Sequence, residues 1–273
     1  MMEFLLEPLH YEFFRRGLLA AFLIGISSGL VGVYVVLRGM SYVGHGLSHA
    51  AVGGAVIGFA LNLDFYVGAC AMGLLAILII HKITHNQKIK LDAAIGIVTT
   101  AIFALGVAII NKLRNFKQNF EATLFGNILG ITDQDLIMIG FVTLMTLITL
   151  FFTYRSLLFA TFDSEAAQIF GIHTESVQLL FSLLLTLTII ASLNVIGVTM
   201  VAATLIAPAM TARMLTDSFS RMIIYSMGVG AITGITGMYM SYILDIASGS
   251  TVVLFSATLF SLSLFIKSPR HSG

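Results

Sequence analysis

The sequence predicts an all-α polytopic membrane protein of eight to nine transmembrane helices, and three observations carry that prediction. Hydrophobic residues make up 58% of the 273 positions and charged residues only 10%, too few polar side chains to cover a soluble globule of this size. Mean hydropathy is +1.00. Apolar runs of about 20 residues, the length that crosses a bilayer, recur along the chain and are separated by charged or turn-forming clusters. The formal net charge of +1 gives no single-signed field for nucleic acid, so the lysines and arginines read as topology markers.

Residues 1 to 14 carry Glu3, Glu7, Pro8 and Glu12 ahead of Arg15 and Arg16. That order lacks the basic start and small-residue cleavage site of a signal peptide, so the segment is expected to be an amphipathic lead-in lying against membrane lipid. Nine spans are expected, at roughly 15 to 37, 43 to 63, 65 to 81, 92 to 112, 135 to 154, 174 to 192, 194 to 213, 220 to 244 and 249 to 267. Some are short or closely joined, so eight stays open. The breaks fall at "HKITHNQKIKLD", "NKLRNFKQNFEATLFGN", "TDQD", "FDSEAAQIFGIH" and "LDIASGS". With no repeat and no soluble insert, residues 1 to 273 read as a single transmembrane domain. Cys70 is the one cysteine, which excludes an internal disulfide and leaves it as a small hydrophobe.

Short basic loops tend to stay in the cytoplasm. With the N-terminus outside, nine of the fourteen Lys and Arg fall inside, against a contrary basic loop at 112 to 117. After the fifth span, Asp163 is a plausible N-cap, Ser164 and Glu165 set an acidic first turn at the positive end of a helix, Ala166 and Ala167 favour helix, and Gly171 suits its stop. A two-turn helix outside the membrane is expected there.

The stretch "GMSYVGHGLSHAAVGGAVIG" places His45 and His49 four residues apart, on one helix face and one turn apart. The surrounding Gly and Ala let membrane helices pack backbone to backbone, so this helix reads as buried in protein. Ionisable groups inside a membrane are expensive and mark functional sites. One divalent ion can contact both imidazoles; the alternative is that each ring braces the bundle by hydrogen bonding to a carbonyl. No Glu follows His45, so the pattern of a zinc protease is missing. His81 and His85 repeat the spacing beside Lys82, at a membrane edge where a solvated loop is the better reading. Asp92 heads the fourth span as a cap or a pathway residue. Pro208 breaks a membrane helix and frees carbonyls that need a protein-lined or wet setting, so, with Thr204 and Thr211 near it, it either shapes a central cavity or is an inert kink. Asp245 is a candidate gate or docking residue at the edge of the eighth span.

Six stretches in order, "GVYVVLRGMSYVGHGLSHAAVGGAVIG", "LDAAIGIVTTAIFALGVAI", "EATLFGNILGITDQDL", "FDSEAAQIFGI", "VIGVTMVAATLIAPAMTARML" and "MYMSYILDIASGSTVVL", together resemble the permease subunits of ABC importers for zinc, manganese and iron. The resemblance implies the type II, cobalamin-type importer architecture in the bacterial cytoplasmic (inner) membrane. It implies a homodimer on two cytoplasmic ATP-binding subunits, fed by an extracytoplasmic metal-binding protein. It assigns Asp163, Glu165, Ala166, Ala167 and Gly171 to a coupling helix that docks on the ATPase, which supports the topology with the N-terminus outside. No phosphate loop of the form G-x-x-x-x-G-K-[ST] occurs, so the chain itself is expected not to bind ATP and not to be an enzyme. The expected cargo is a transient divalent metal, with no permanently bound cofactor.

The family pattern puts Asp where this chain has His45 and a His at the position of His49. Exchanging carboxylate for imidazole softens the donor set and tilts it from manganese towards zinc. Two protomers meeting at this pair would offer four imidazoles, a set that tetrahedral zinc accepts. The competing readings are a stand-alone ion-coupled carrier, for which inverted repeats and embedded carboxylates are wanting, and an intramembrane metalloenzyme, for which no base is present.

Overall fold

The computed structural model describes residues 6–84, 89–112, 125–126 and 130–267. Among them the secondary structure is helical. A short 3-10 turn, Glu7–His10, precedes α1 (Glu12–Leu37), α2 (Ser41–Ala60), α3 (Phe65–Thr84), α4 (Leu91–Lys112), α5 (Asp133–Phe162), α6 (Ser164–Ile169), α7 (Thr174–Ile196), α8 (Val201–Leu215), α9 (Phe219–Leu244) and α10 (Ser248–Lys267). His85, Arg114, Lys117 and much of "EATLFGN" lie outside the described residues.

Among the described residues eight helices are long and apolar enough to cross a membrane, where the spacing of apolar runs predicts nine with eight left open. The expected seventh span, 194 to 213, divides at Gly197, whose φ of 86° is a left-handed conformation that side chains resist. Residues 194 to 196 therefore finish α7, and α8 keeps 15 residues, about 22 Å at 1.5 Å per residue against a hydrocarbon core of about 30 Å. The fifth span runs to Phe162 instead of 154, because nothing between Tyr154 and Phe162 breaks a helix before Asp163 begins the next one.

The chain forms two compact units. The first draws on Met1–Gly39, Phe120–Met145 and Ala191–Gly273. In it α1 packs against α8 and α9, and α10 against the same two. Gly25 of α1 and Gly230 of α9 meet so closely that a Cβ on either would overlap the other's carbonyl. Nearby, the Ser226 hydroxyl donates to the Gly29 carbonyl at 2.6 Å. Buried Val33, Ala209, Ala212 and Met222 continue this seam towards the end of α1. At the start of α1, Arg16 forks onto both oxygens of Asp133 at 2.8 Å. Asp135, only 6% exposed, accepts from the Thr132 amide at 2.8 Å, the Thr132 hydroxyl at 2.6 Å and the Asn194 amide at 3.1 Å. Three donors are what a buried carboxylate requires.

The second unit draws on Met40–Asn119 and Thr146–Ile190. There α2 is flanked by α3 and α4, which also touch each other. A Cβ built on Gly54 would sit 2.5 Å from the Gly68 carbonyl oxygen, and one on Gly53 would sit 2.6 Å from that of Ile102. These approaches are the small-residue packing read from the sequence, and they position the residues described next.

Candidate functional site

His45 and His49 lie on the same face of α2, and their Nε2 atoms are 3.2 Å apart. Two imidazole nitrogens on one tetrahedral zinc ion at 2.0–2.1 Å stand about 3.3 Å from each other. The two nitrogens are therefore spaced as the donors of one shared ion would be, and one can donate a hydrogen bond to the other. The spacing follows from the helix, because residues four apart stack one above the other. The rings meet edge to face, centroids 4.6 Å apart at 88°, and both residues are half-buried. The Ser48 hydroxyl is turned back to the His45 carbonyl at 2.8 Å, so it offers no donor to the pair. No group of three or more His, Cys, Asp or Glu occurs among the described residues.

Two aromatic residues extend this face, and the sequence did not single out either. Tyr42, one turn before His45, has its ring 5.9 Å from the His45 ring but is 56% exposed. Phe103 of α4 meets His49 edge to face at 5.0 Å and 62°. In an apolar run such as "TAIFALGVAI" one Phe reads like any other, so only the packing of α4 on α2 reveals it.

Asp92, in the same unit, is exposed in the first turn of α4, where its charge faces the helix's positive end. In the other unit Thr204 is buried and its hydroxyl donates to the Val201 carbonyl at 2.8 Å. Thr204 also lines a cavity of about 10 Å³ with Thr233 and Ser248, room for one water. Pro208 is buried within α8, and Thr211 donates to the Ala207 carbonyl at 2.8 Å. Asp245 is the exposed C-cap of α9 in a left-handed conformation, φ 53° and ψ 46°.

The expected extramembrane helix is α6. Asp163 is its N-cap, and its carboxylate accepts from the Ala166 amide at 2.9 Å. At the other end Gly171 takes φ 78°, which lets the Ile172 amide return to the Ala167 carbonyl at 2.9 Å. This geometry is a Schellman stop. Ala167 is fully buried, whereas Glu165 is exposed and Ile169 and Phe170 are 85% and 76% exposed. A six-residue helix therefore presents an acidic residue and two large apolar ones outward.

The family model described as the ABC 3 transport family matches residues 10–267. The chain belongs to the ABC 3 transport family. It is similar to the manganese transport system membrane protein MntC of Halalkalibacterium halodurans, 38% identical over 97% of this chain and 90% of that protein. It is also 38% identical to the manganese import system permease protein ScaB of Streptococcus parasanguinis, over 97% and 94%. The chelated iron transport system membrane protein YfeC of Yersinia pestis is 32% identical over 99% and 92%. Among solved structures, PsaBC from Streptococcus pneumoniae in complex with Fab matches with a TM-score of 0.88 at 35% identity, covering 98% of both chains. A metal-chelate type ABC transporter in an inward-facing conformation shares the fold, with a TM-score of 0.73 at 16% identity over 92% of this chain and 85% of that one. As a member of the ABC 3 transport family the chain is a multi-pass permease of the bacterial inner membrane, the reading preferred above over a stand-alone carrier.

Proposed function

We propose that this permease carries a divalent transition metal through the cytoplasmic membrane, with His45 and His49 as ligands of the ion in transit. The observation that carries the reading is the 3.2 Å separation of the two Nε2 atoms, the bite of a shared ion, on a helix whose small residues keep it inside protein. Two imidazoles leave a four- or six-coordinate ion incomplete. A second copy of the chain, brought up to α2, supplies the remaining donors in the homodimer that the family resemblance implies. Manganese and iron come first as cargo, on the names of the relatives. The His45 imidazole, where the family pattern has Asp, extends the fit towards zinc.

The reading routes energy through α6. Its exposed Glu165, Ile169 and Phe170 form the contact for an ATP-binding subunit on each protomer, with Asp163 and Gly171 fixing its two ends. Metal arrives from an extracytoplasmic binding protein, for which Asp245 at the end of α9 is a candidate contact. Asp92, Thr204 and Pro208 are assigned no ligand role. A pathway site has to release its ion, and two neutral imidazoles per chain hold one loosely enough for that.

The test is uptake by the reconstituted importer with manganese, iron and zinc in competition. His45→Ala and His49→Ala are expected to lower uptake by at least about tenfold, the loss that follows removal of ligand-shell interactions. Parental uptake by both variants would remove the pair from the path.

A further inference from the structure

A metal-ligating imidazole ordinarily donates its second ring N–H to a carboxylate, a carbonyl or water, which fixes the ring and raises its basicity. His49 departs from that arrangement. Its Nε2 faces His45, while its Nδ1 is buried with no hydrogen-bond partner among the described residues. The nearest hydroxyl on its own helix, that of Ser48, is committed to the His45 carbonyl. What touches the ring instead is Phe103, edge to face at 5.0 Å.

The backbone of Phe103 is packed directly on α2. At this level α2 and α4 approach through glycine: a Cβ on Gly53 would stand 2.9 Å from the Phe103 Cα, and one on Gly106 would stand 2.7 Å from the Gly53 Cα. One turn before His49, a Cβ on Gly46 would stand 2.6 Å from the Ile95 side chain. The two backbones thus meet one turn after His49, and the Ile95 side chain fills against Gly46 one turn before it, which sets the Phe103 backbone beside the His49 ring. By contrast, Tyr42 lies beside His45 from an exposed position on the same helix and exerts no such hold.

We propose that Phe103 is the positioning residue of His49, orienting the imidazole by aromatic packing where a hydrogen bond would usually do so. The proposal rests on the reading of His45 and His49 as ligands of the transported ion. Packing orients a ring without donating charge to it, so the ligand is pre-aimed yet not made more basic. A site that must bind on one side and release on the other gains from that combination.

The experiment measures Co²⁺ binding, by its d–d absorption, to the complete importer carrying Phe103→Ala, Phe103→Leu, Phe103→Tyr or His49→Ala. Phe103→Ala is expected to raise the half-saturating Co²⁺ concentration roughly tenfold while the bound stoichiometry at saturation is kept. Phe103→Tyr, which restores the ring edge, is expected to return it to within about twofold of the parent. If Phe103→Ala does not assemble, Phe103→Leu decides, since it fills the space without an aromatic edge: weakened binding supports the proposal. Parental half-saturation in the assembled Ala or Leu variant overturns it. If His49→Ala binds Co²⁺ like the parent, the ligand reading falls and this proposal with it. Loss of binding in His49→Ala beside parental Phe103 variants overturns only the role of Phe103.

Discussion

In the proposed function His45 is the residue on which metal preference turns, because it brings an imidazole nitrogen to a position where the family that the sequence resembles has an anionic oxygen. An imidazole favours zinc, a carboxylate manganese. His45→Asp should therefore raise manganese uptake relative to zinc, by roughly tenfold or about 1.4 kcal/mol in relative affinity, read from competition between the two ions. The same substitution bears on acid sensitivity. Only a neutral imidazole binds metal, so a path that depends on imidazole ligands should carry less metal as the external pH is lowered. A carboxylate remains an anion to lower pH than an imidazole remains neutral. The Asp variant should accordingly lose less of its uptake on acidification than the parent, and equal losses in both would argue against His45 as a ligand.

Among the helices, the seam between α2 and α4 shows how glycine placement sets the geometry of the site. A methyl group at Gly53 would stand 2.6 Å from the Ile102 carbonyl oxygen, whereas one at Gly96, also on α4, meets nothing within 4 Å. Gly53→Ala has to push two backbones apart and should destabilise the protein by about 1–3 kcal/mol, seen as a lower thermal midpoint in detergent. Gly96→Ala should be neutral or stabilise by up to about 1 kcal/mol, because Ala restricts the chain more than Gly does. The contrast also marks what was legible in the sequence. The helix pattern, the cap at Asp163 and the stop at Gly171 are local, and each can be read from neighbours a few residues away. The His45 and His49 pair is local too, since helical periodicity alone stacks them. Phe103 against His49 is a contact 54 positions apart in the chain and leaves no periodic trace. Asp135 looked like part of a polar break in "TDQD" yet is a buried cap, because its partner Asn194 comes from another helix. The split of the expected seventh span hinged on the backbone angle of Gly197, one of 25 glycines in the chain, most of which lie inside helices.

At the scale of the whole molecule, the proposed function divides the work between a metal pair on α2 and a contact on α6, and the two should fail separately. The outward face of α6 sits on a helix too short to span a bilayer: it has six residues, is capped at both ends, and holds Ile169 and Phe170 at 85% and 76% exposure beside exposed Glu165. Large apolar residues kept in the open on a short helix capped at both ends have the character of interface anchors. The double substitution Ile169→Ser, Phe170→Ser removes those anchors without touching Ala167, the residue that seats the helix. Association with the ATP-binding subunits should weaken by about 2 kcal/mol or more, roughly thirtyfold, measured by co-purification and by loss of ATP-driven uptake. Metal binding at His45 and His49 should persist in the same preparation, since no α6 residue is part of that pair. If uptake and co-purification both stay at the parental level, α6 is an ordinary connecting helix and the drive enters the permease elsewhere.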